Sequence, residues 1–116
     1  MRQKPLLPSL REKKRYLVYE VLSDQDFGAH DVSGSIRDNF AELFGEKGLA
    51  DAGLIFPKGK FNKDTGRGIV RVSHTSLDEL RASFVFISGI KGKSAIVRSV
   101  IASGMIGKAE EVLAAS

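Results

Sequence analysis

The stretch Arg15-Tyr16-Leu17-Val18-Tyr19-Glu20-Val21-Leu22 decides the fold. Aliphatic, β-branched and aromatic residues crowd it, which is the composition of a strand. Apolar-polar alternation is almost absent, and past Arg15 both faces are largely apolar apart from Glu20. A strand that hides both faces belongs in the middle of a sheet. The other elements must be arranged around that centre.

Downstream, Ser23 to Gly28 is a polar connection. Val32, Ile36, Phe40, Leu43 and Phe44 then recur at helical spacing, and Gly45 supplies a stop signal. Gly34 sits inside this first helix at some cost. Leu54-Ile55-Phe56 opens a second strand that continues past Pro57 and Gly59 to Phe61, and a proline there suits an edge. Asn62 to Gly66 reads as a hairpin turn and Gly68 to Ser73 as strand three. Ser76-Leu77-Asp78-Glu79 has the form of a capping box. It opens helix two, with core face Leu77, Leu80, Phe84 and Ile87, although Phe84 to Ile87 also reads as a strand. Ser94 to Ala102 is strand four, and Gly107 to Ser116 a short helix carrying Val112 and Leu113.

The order β-α-β-β-α-β plus a helix predicts an α/β fold, an α+β sandwich of ferredoxin-like or RRM-like topology. It has a four-stranded antiparallel sheet, both helices on one face, and a C-terminal helix. Upstream, Pro5 and Pro8 keep residues 1–11 extended. The expected organisation is a basic arm over residues 1–14 and one domain over residues 15–116.

The 116 residues include no Cys, which excludes disulfides, thiolate zinc sites and a Cys nucleophile. No run approaches the ~20 apolar residues of a membrane helix. A soluble cytoplasmic protein with no membrane partner is the expectation. The net charge of +4 is unevenly spread. Arg2, Lys4, Arg11, Lys13, Lys14 and Arg15 stand against Glu12 alone. Residues 24–51 are acidic, with Asp24, Asp26, Asp31, Asp38, Glu42, Glu46 and Asp51 against Arg37 and Lys47. Two further basic stretches lie downstream: Lys58, Lys60, Lys63, Arg67 and Arg71, then Lys91, Lys93 and Arg98. Basic stretches of this kind attract polyanions through phosphate neutralisation and counterion release.

Catalytic patterns are missing. His30 and His74 sit apart, in no metal-binding spacing, and no Ser occupies a nucleophile elbow. Gly92-Lys93-Ser94 lacks the upstream glycine and the downstream helix of a phosphate loop. Gly89-Ile90-Lys91-Gly92 matches a GXXG loop but reads better as a helix-stop turn. Arg67-Gly68-Ile69-Val70-Arg71-Val72 lies where an RRM carries its RNP1 box, with Ile69 and Arg71 in place of the stacking aromatics. Only Tyr16 and Tyr19 remain to stack on bases, so RNA should be held by shape and phosphate.

Leu7-Pro8-Ser9-Leu10-Arg11-Glu12-Lys13-Lys14-Arg15-Tyr16, running into Leu17 to Val21, resembles the start of the archaeal ribonuclease P protein component 2 family, shared with the eukaryotic subunit called Pop five. Thr65 to Arg71, Gly92 to Ser99 and Ser103-Gly104-Met105-Ile106 resemble later blocks in the family's order, with Met105 where the family has Thr. The resemblance implies a subunit of ribonuclease P, the ribonucleoprotein endoribonuclease that removes the 5′ leader of precursor tRNA. It implies a catalytic RNA using magnesium, no cofactor on the protein, and protein component 3 among the partner subunits. Arg11, Lys13, Lys14, Arg15, Arg67, Arg71, Lys93 and Arg98 then become RNA-contact candidates. Lys58, Lys60, Lys63 and Lys91 join them on charge and placement. A different RNA-binding module, such as a ribosome-associated one, and a small-molecule sensor share the topology. Salt-dependent RNA binding separates the sensor from the other two.

Overall fold

In the computed structural model, which describes residues 13–115, the central-strand expectation holds. Strand β1 (Lys14–Leu22) pairs antiparallel with β3 (Arg67–Ser73) on one side and with β6 (Ile96–Ser103) on the other. A two-residue strand β2 (Phe61–Asn62) completes the order β2-β3-β1-β6. Leu17, Val18 and Tyr19 are buried, as an interior strand requires. Of the basic arm read over residues 1–14, residues 1–12 lie outside the described residues and Lys14 opens β1.

Two layers cover the sheet. Leu17, Tyr19, Val70, Val72 and Val97 face helices α1 (Ala29–Ala52) and α2 (Leu77–Phe84), meeting Val32, Ile36, Phe40, Leu80 and Phe84 in the main core. Each such side chain contributes roughly 1.5–3 kcal/mol when fully buried. The opposite face holds a smaller cluster of Val18, Ile69 and Ala109, flanked by Tyr16, Val100, Ile101, Val112 and Leu113. Ala109, Val112 and Leu113 belong to α3 (Ile106–Ala114), which lies across this second face. Helix α3 matches the short terminal helix expected from sequence.

Several local expectations need correction. Gly45 does break the first helix, as its place in the sequence suggests, but a further helical stretch follows that the apolar spacing does not announce. The Gly45 φ of 78° breaks the helical path, which glycine tolerates cheaply, and the helix resumes to Ala52 before Gly53 closes it in the left-handed region. Strand two shrinks to Phe61–Asn62, with only an isolated bridge from Ile55 to Arg71 before Pro57 interrupts. The capping box does not form. Ser76 sits in a 3-10 turn (His74–Ser76) at φ −109°, ψ 5°, outside extended cap geometry, and its side chain makes no cap bond. Helix α2 ends at Phe84, and Ile87 reaches the core from beyond the turn at Val85 and Phe86. The Gly89–Gly92 segment is no helix stop. It belongs to a small hairpin of β4 (Gly89–Ile90) and β5 (Lys93–Ser94), turned by Lys91 and Gly92, both at positive φ.

Candidate nucleic-acid interface

The fold sorts the basic candidates to different places. Nine residues of β1 at ~3.3 Å each separate the two ends of the sheet by roughly 25 Å. Lys13, Lys14 and Arg15 mark the first end. The Lys13 carbonyl accepts the His74 amide at 2.8 Å, which ties the start of β1 to the end of β3. Arg15 Nη1 donates to the Lys14 carbonyl at 3.2 Å. Arg11 lies outside the described residues.

Lys60, Lys63, Arg67, Lys93 and Arg98 gather toward the other end. Lys63 and Lys93 line a groove of about 720 Å³ together with Asp24, Asp26, Asp64 and the exposed Ile96, so its charge is mixed. Lys60 Nζ is 2.8 Å from Glu110 on α3. Lys91, at the hairpin tip, is 3.6 Å from Asp31. Lys58 stands exposed in the loop before β2.

Arg67 and Arg98 converge on one carboxylate. Arg98 Nε donates to Glu20 Oε1 at 2.7 Å, and Arg67 Nε lies 3.5 Å from Glu20 Oε2. Arg67 Nη1 also donates to the Val112 carbonyl at 2.9 Å and the Ala115 carbonyl at 3.2 Å. These carbonyls close α3, where a cation suits the unpaired acceptors and the helix dipole. Arg67 therefore latches α3 to the sheet. In the sequence Glu20 stands out only as the exception on an apolar strand. Its neighbours are set by strand register, which local composition does not carry.

Arg71 is placed differently. It shares the α3 face with Arg67, opposite Tyr16 on β1 and bridged to Ile55. Its Nε is buried with no hydrogen-bond partner among the described residues. A buried guanidinium donor left unmet is costly, and the terminal nitrogens of Arg71, which are not sealed in the same way, are the part of the group an arriving phosphate could meet.

The tyrosines do not offer a stacking platform. Tyr19 faces the main core and is 2% exposed, and Tyr16 packs against the cluster under α3. The face that an RRM leaves open is roofed here by a helix, so bases cannot spread across it. The acidic outer side of α1 is as expected, with Asp38, Glu42, Glu46 and Asp51 exposed. His30 is exposed, and the His74 ring lies 3.2 Å from the Lys13 carbonyl. Among the described residues no group of His, Asp or Glu has the arrangement to hold a metal ion, and no helix is long and apolar enough to cross a membrane.

Comparison with known proteins agrees with this layout. A solved structure of yeast Ribonuclease MRP contains a chain of the same fold, at TM-score 0.62 and 13% identity, over 83% of this chain and 77% of that one. "Ribonuclease P protein component 2" of Pyrococcus horikoshii is 36% identical over 104 residues, covering 89% of this chain and 84% of the relative. The protein of the same name from Methanosarcina acetivorans is 34% identical over 108 residues, covering 93% and 79%. The model of the Rpp14/Pop5 family matches residues 15–114, from the first residues of β1 to the last of α3, and the chain belongs to that family.

Proposed function

We propose that this chain is a protein subunit of ribonuclease P that binds and stabilises the catalytic domain of the enzyme's RNA. The observation that carries the reading is the family membership, with near full-length relatives named as ribonuclease P components. Its partners are then the ribonuclease P RNA, protein component 3 and the other protein subunits, with precursor tRNA as the substrate of the assembled enzyme. The polypeptide is non-catalytic, and magnesium acts on the RNA. A cytoplasmic location goes with the same reading.

Arg71, which has no ion-pair partner among the described residues, and the exposed Lys13, Lys58, Lys63 and Lys93 support a phosphate-binding role. Lys14, Arg15 and Arg11 extend it, while Lys60, Arg67, Lys91 and Arg98 are partly committed to carboxylates on the protein itself. Cleavage of precursor tRNA by the cognate RNA, with component 3 present and matched magnesium and salt, tests the reading. Added protein should stimulate cleavage, and no stimulation sinks it. Arg71→Ala should weaken RNA binding about tenfold and lower the slope of log affinity against log salt by ~1, the loss of one phosphate contact. An unchanged slope would remove Arg71 from the RNA face.

A further inference from the structure

Beside the first turn of α1 and under the loop before β2, a recess of about 300 Å³ is lined by Tyr19, His30, Ser33, Phe56, Lys58 and Phe61, among others. Its depth is set by a glycine. Gly68 stands opposite both Tyr19 and Phe61 in the sheet, and a Cβ built there would fall on the Tyr19 hydroxyl. The missing side chain lets the phenol lie across β3 toward the recess. Phe61 runs nearly parallel to the Tyr19 ring, at 22° and 6.4 Å between centroids, and Phe56 meets it edge-on at 74°.

Three aromatic rings, Tyr19, Phe56 and Phe61, line the recess, and the Tyr19 hydroxyl and Ser33 are among its polar groups. Tyr19 is 2% exposed as a residue, and its hydroxyl makes no hydrogen bond among the described residues, but the oxygen is not fully sealed and keeps some accessible surface. Buried tyrosine hydroxyls ordinarily find a partner. Burial also raises the phenol's pKa well above its ordinary value, so the group stays neutral and keeps its proton to donate.

We infer that this recess receives one unpaired nucleobase of the bound RNA, stacked against the aromatic wall and hydrogen-bonded at its edge by Tyr19. The inference rests on the RNA-binding reading above. A flat ring with polar edges fits a small recess that combines aromatic rings with hydroxyl groups, the recurrent chemistry by which proteins hold splayed bases. A bare phosphate fits less well. Asp31 lies in the adjoining first turn of α1, and Lys60 is already engaged by Glu110. Lys58, exposed at the rim, is placed for the phosphate of the inserted nucleotide. Because a hydroxyl both donates and accepts, Tyr19 serves any base edge without choosing sharply among them.

Tyr19→Phe removes the hydroxyl and leaves the ring. Binding of the variant and wild type to the cognate ribonuclease P RNA is compared across a salt series. Affinity should fall about tenfold with an unchanged salt slope, and the urea unfolding midpoint should stay where it is. Chemical probing of the RNA with a base-methylating reagent should show one unpaired base that wild type protects and the variant leaves reactive. Equal affinity and equal protection would overturn the inference while leaving the RNA-binding reading intact, and would mean that the recess holds only water. If wild type itself does not bind the RNA, the reading and the inference both fall.

Discussion

Strands β1 and β3 bring two arginines to one face, four positions apart, in opposite electrostatic circumstances. Arg67 stands across from Glu20, and Arg71 stands across from Tyr16. Arg67 meets a carboxylate and two helix-terminal carbonyls. Arg71 keeps a buried donor that nothing among the described residues satisfies. Equal charges in the sequence are therefore unequal on the surface: one holds the protein together, and the other is left for something to arrive. A tally of Lys and Arg overstates the charge available to a polyanion wherever a residue such as Glu20 has already taken it.

Replacing Arg67 gives the largest expected effect on stability. Arg67→Ala removes the latch on α3 and leaves the half-buried Glu20 to Arg98 alone. Charge-assisted hydrogen bonds of this kind contribute about 1.5–3 kcal/mol, and the loss should fall in that range by urea unfolding. Amide exchange in α3 should quicken more than in α1, because the closing carbonyls lose their donor. A stability unchanged from wild type would mean that Val112 and Leu113 hold α3 by packing alone, and the contrast with Arg71 would lose its structural half.

How much of this was legible in the sequence depends on how local the cause is. The central placement of β1 was legible because eight neighbouring residues carry it. The first helix was legible from its spacing and from its break at Gly45, whereas the second helical stretch was not, since a glycine permits the break without deciding whether a helix resumes beyond it. The β4–β5 hairpin was missed because Lys91 adopts a positive φ that its residue type does not advertise. The capping box failed because the letters at residues 76–79 say nothing of Ser76's backbone angles. Arg67, Arg71 and Arg98 were marked as RNA contacts by charge and family position alike. What separates them is Glu20, which is 78 residues from Arg98 along the chain. Helix α3 was expected, but its position over the second face depends on Ala109 meeting Val18 and Ile69, a contact no local pattern encodes.

The contrast also suggests its own reversal, with a smaller expected effect. Ile55 exchanges both backbone hydrogen bonds with Arg71, at 3.0 and 2.7 Å, and is 47% exposed. Partners in such a bridge bring their Cβ atoms to roughly 5 Å on the same face. Ile55→Glu should give Arg71 the carboxylate that Arg67 already has. RNA affinity should then fall several-fold and the salt slope by ~1, while stability shifts by no more than about 1 kcal/mol. Ile55→Gln controls for the lost apolar surface and should leave the slope as it was. Equal slopes for the Glu and Gln variants would show that Arg71 was never available to phosphate.

The smallest effect is expected at Arg98, and it tests whether Glu20 acts through one partner or two. The Arg98 side chain is 58% exposed against 19% for Arg67. Solvent-exposed ion pairs contribute about 0–1 kcal/mol, because water screens them and the long side chain gives up rotamer freedom to make them. Arg98→Ala should therefore cost less than about 1 kcal/mol, and Glu20 should keep Arg67 in place with α3 exchange unchanged. Its effect on the salt slope should be smaller than that of Arg71→Ala, since the Arg98 charge is already opposed by Glu20. A destabilisation as large as that of Arg67→Ala would mean that Arg98 orients the carboxylate for Arg67. The latch would then be a three-residue network spanning β1, β3 and β6, in which Glu20 is the member that cannot be spared.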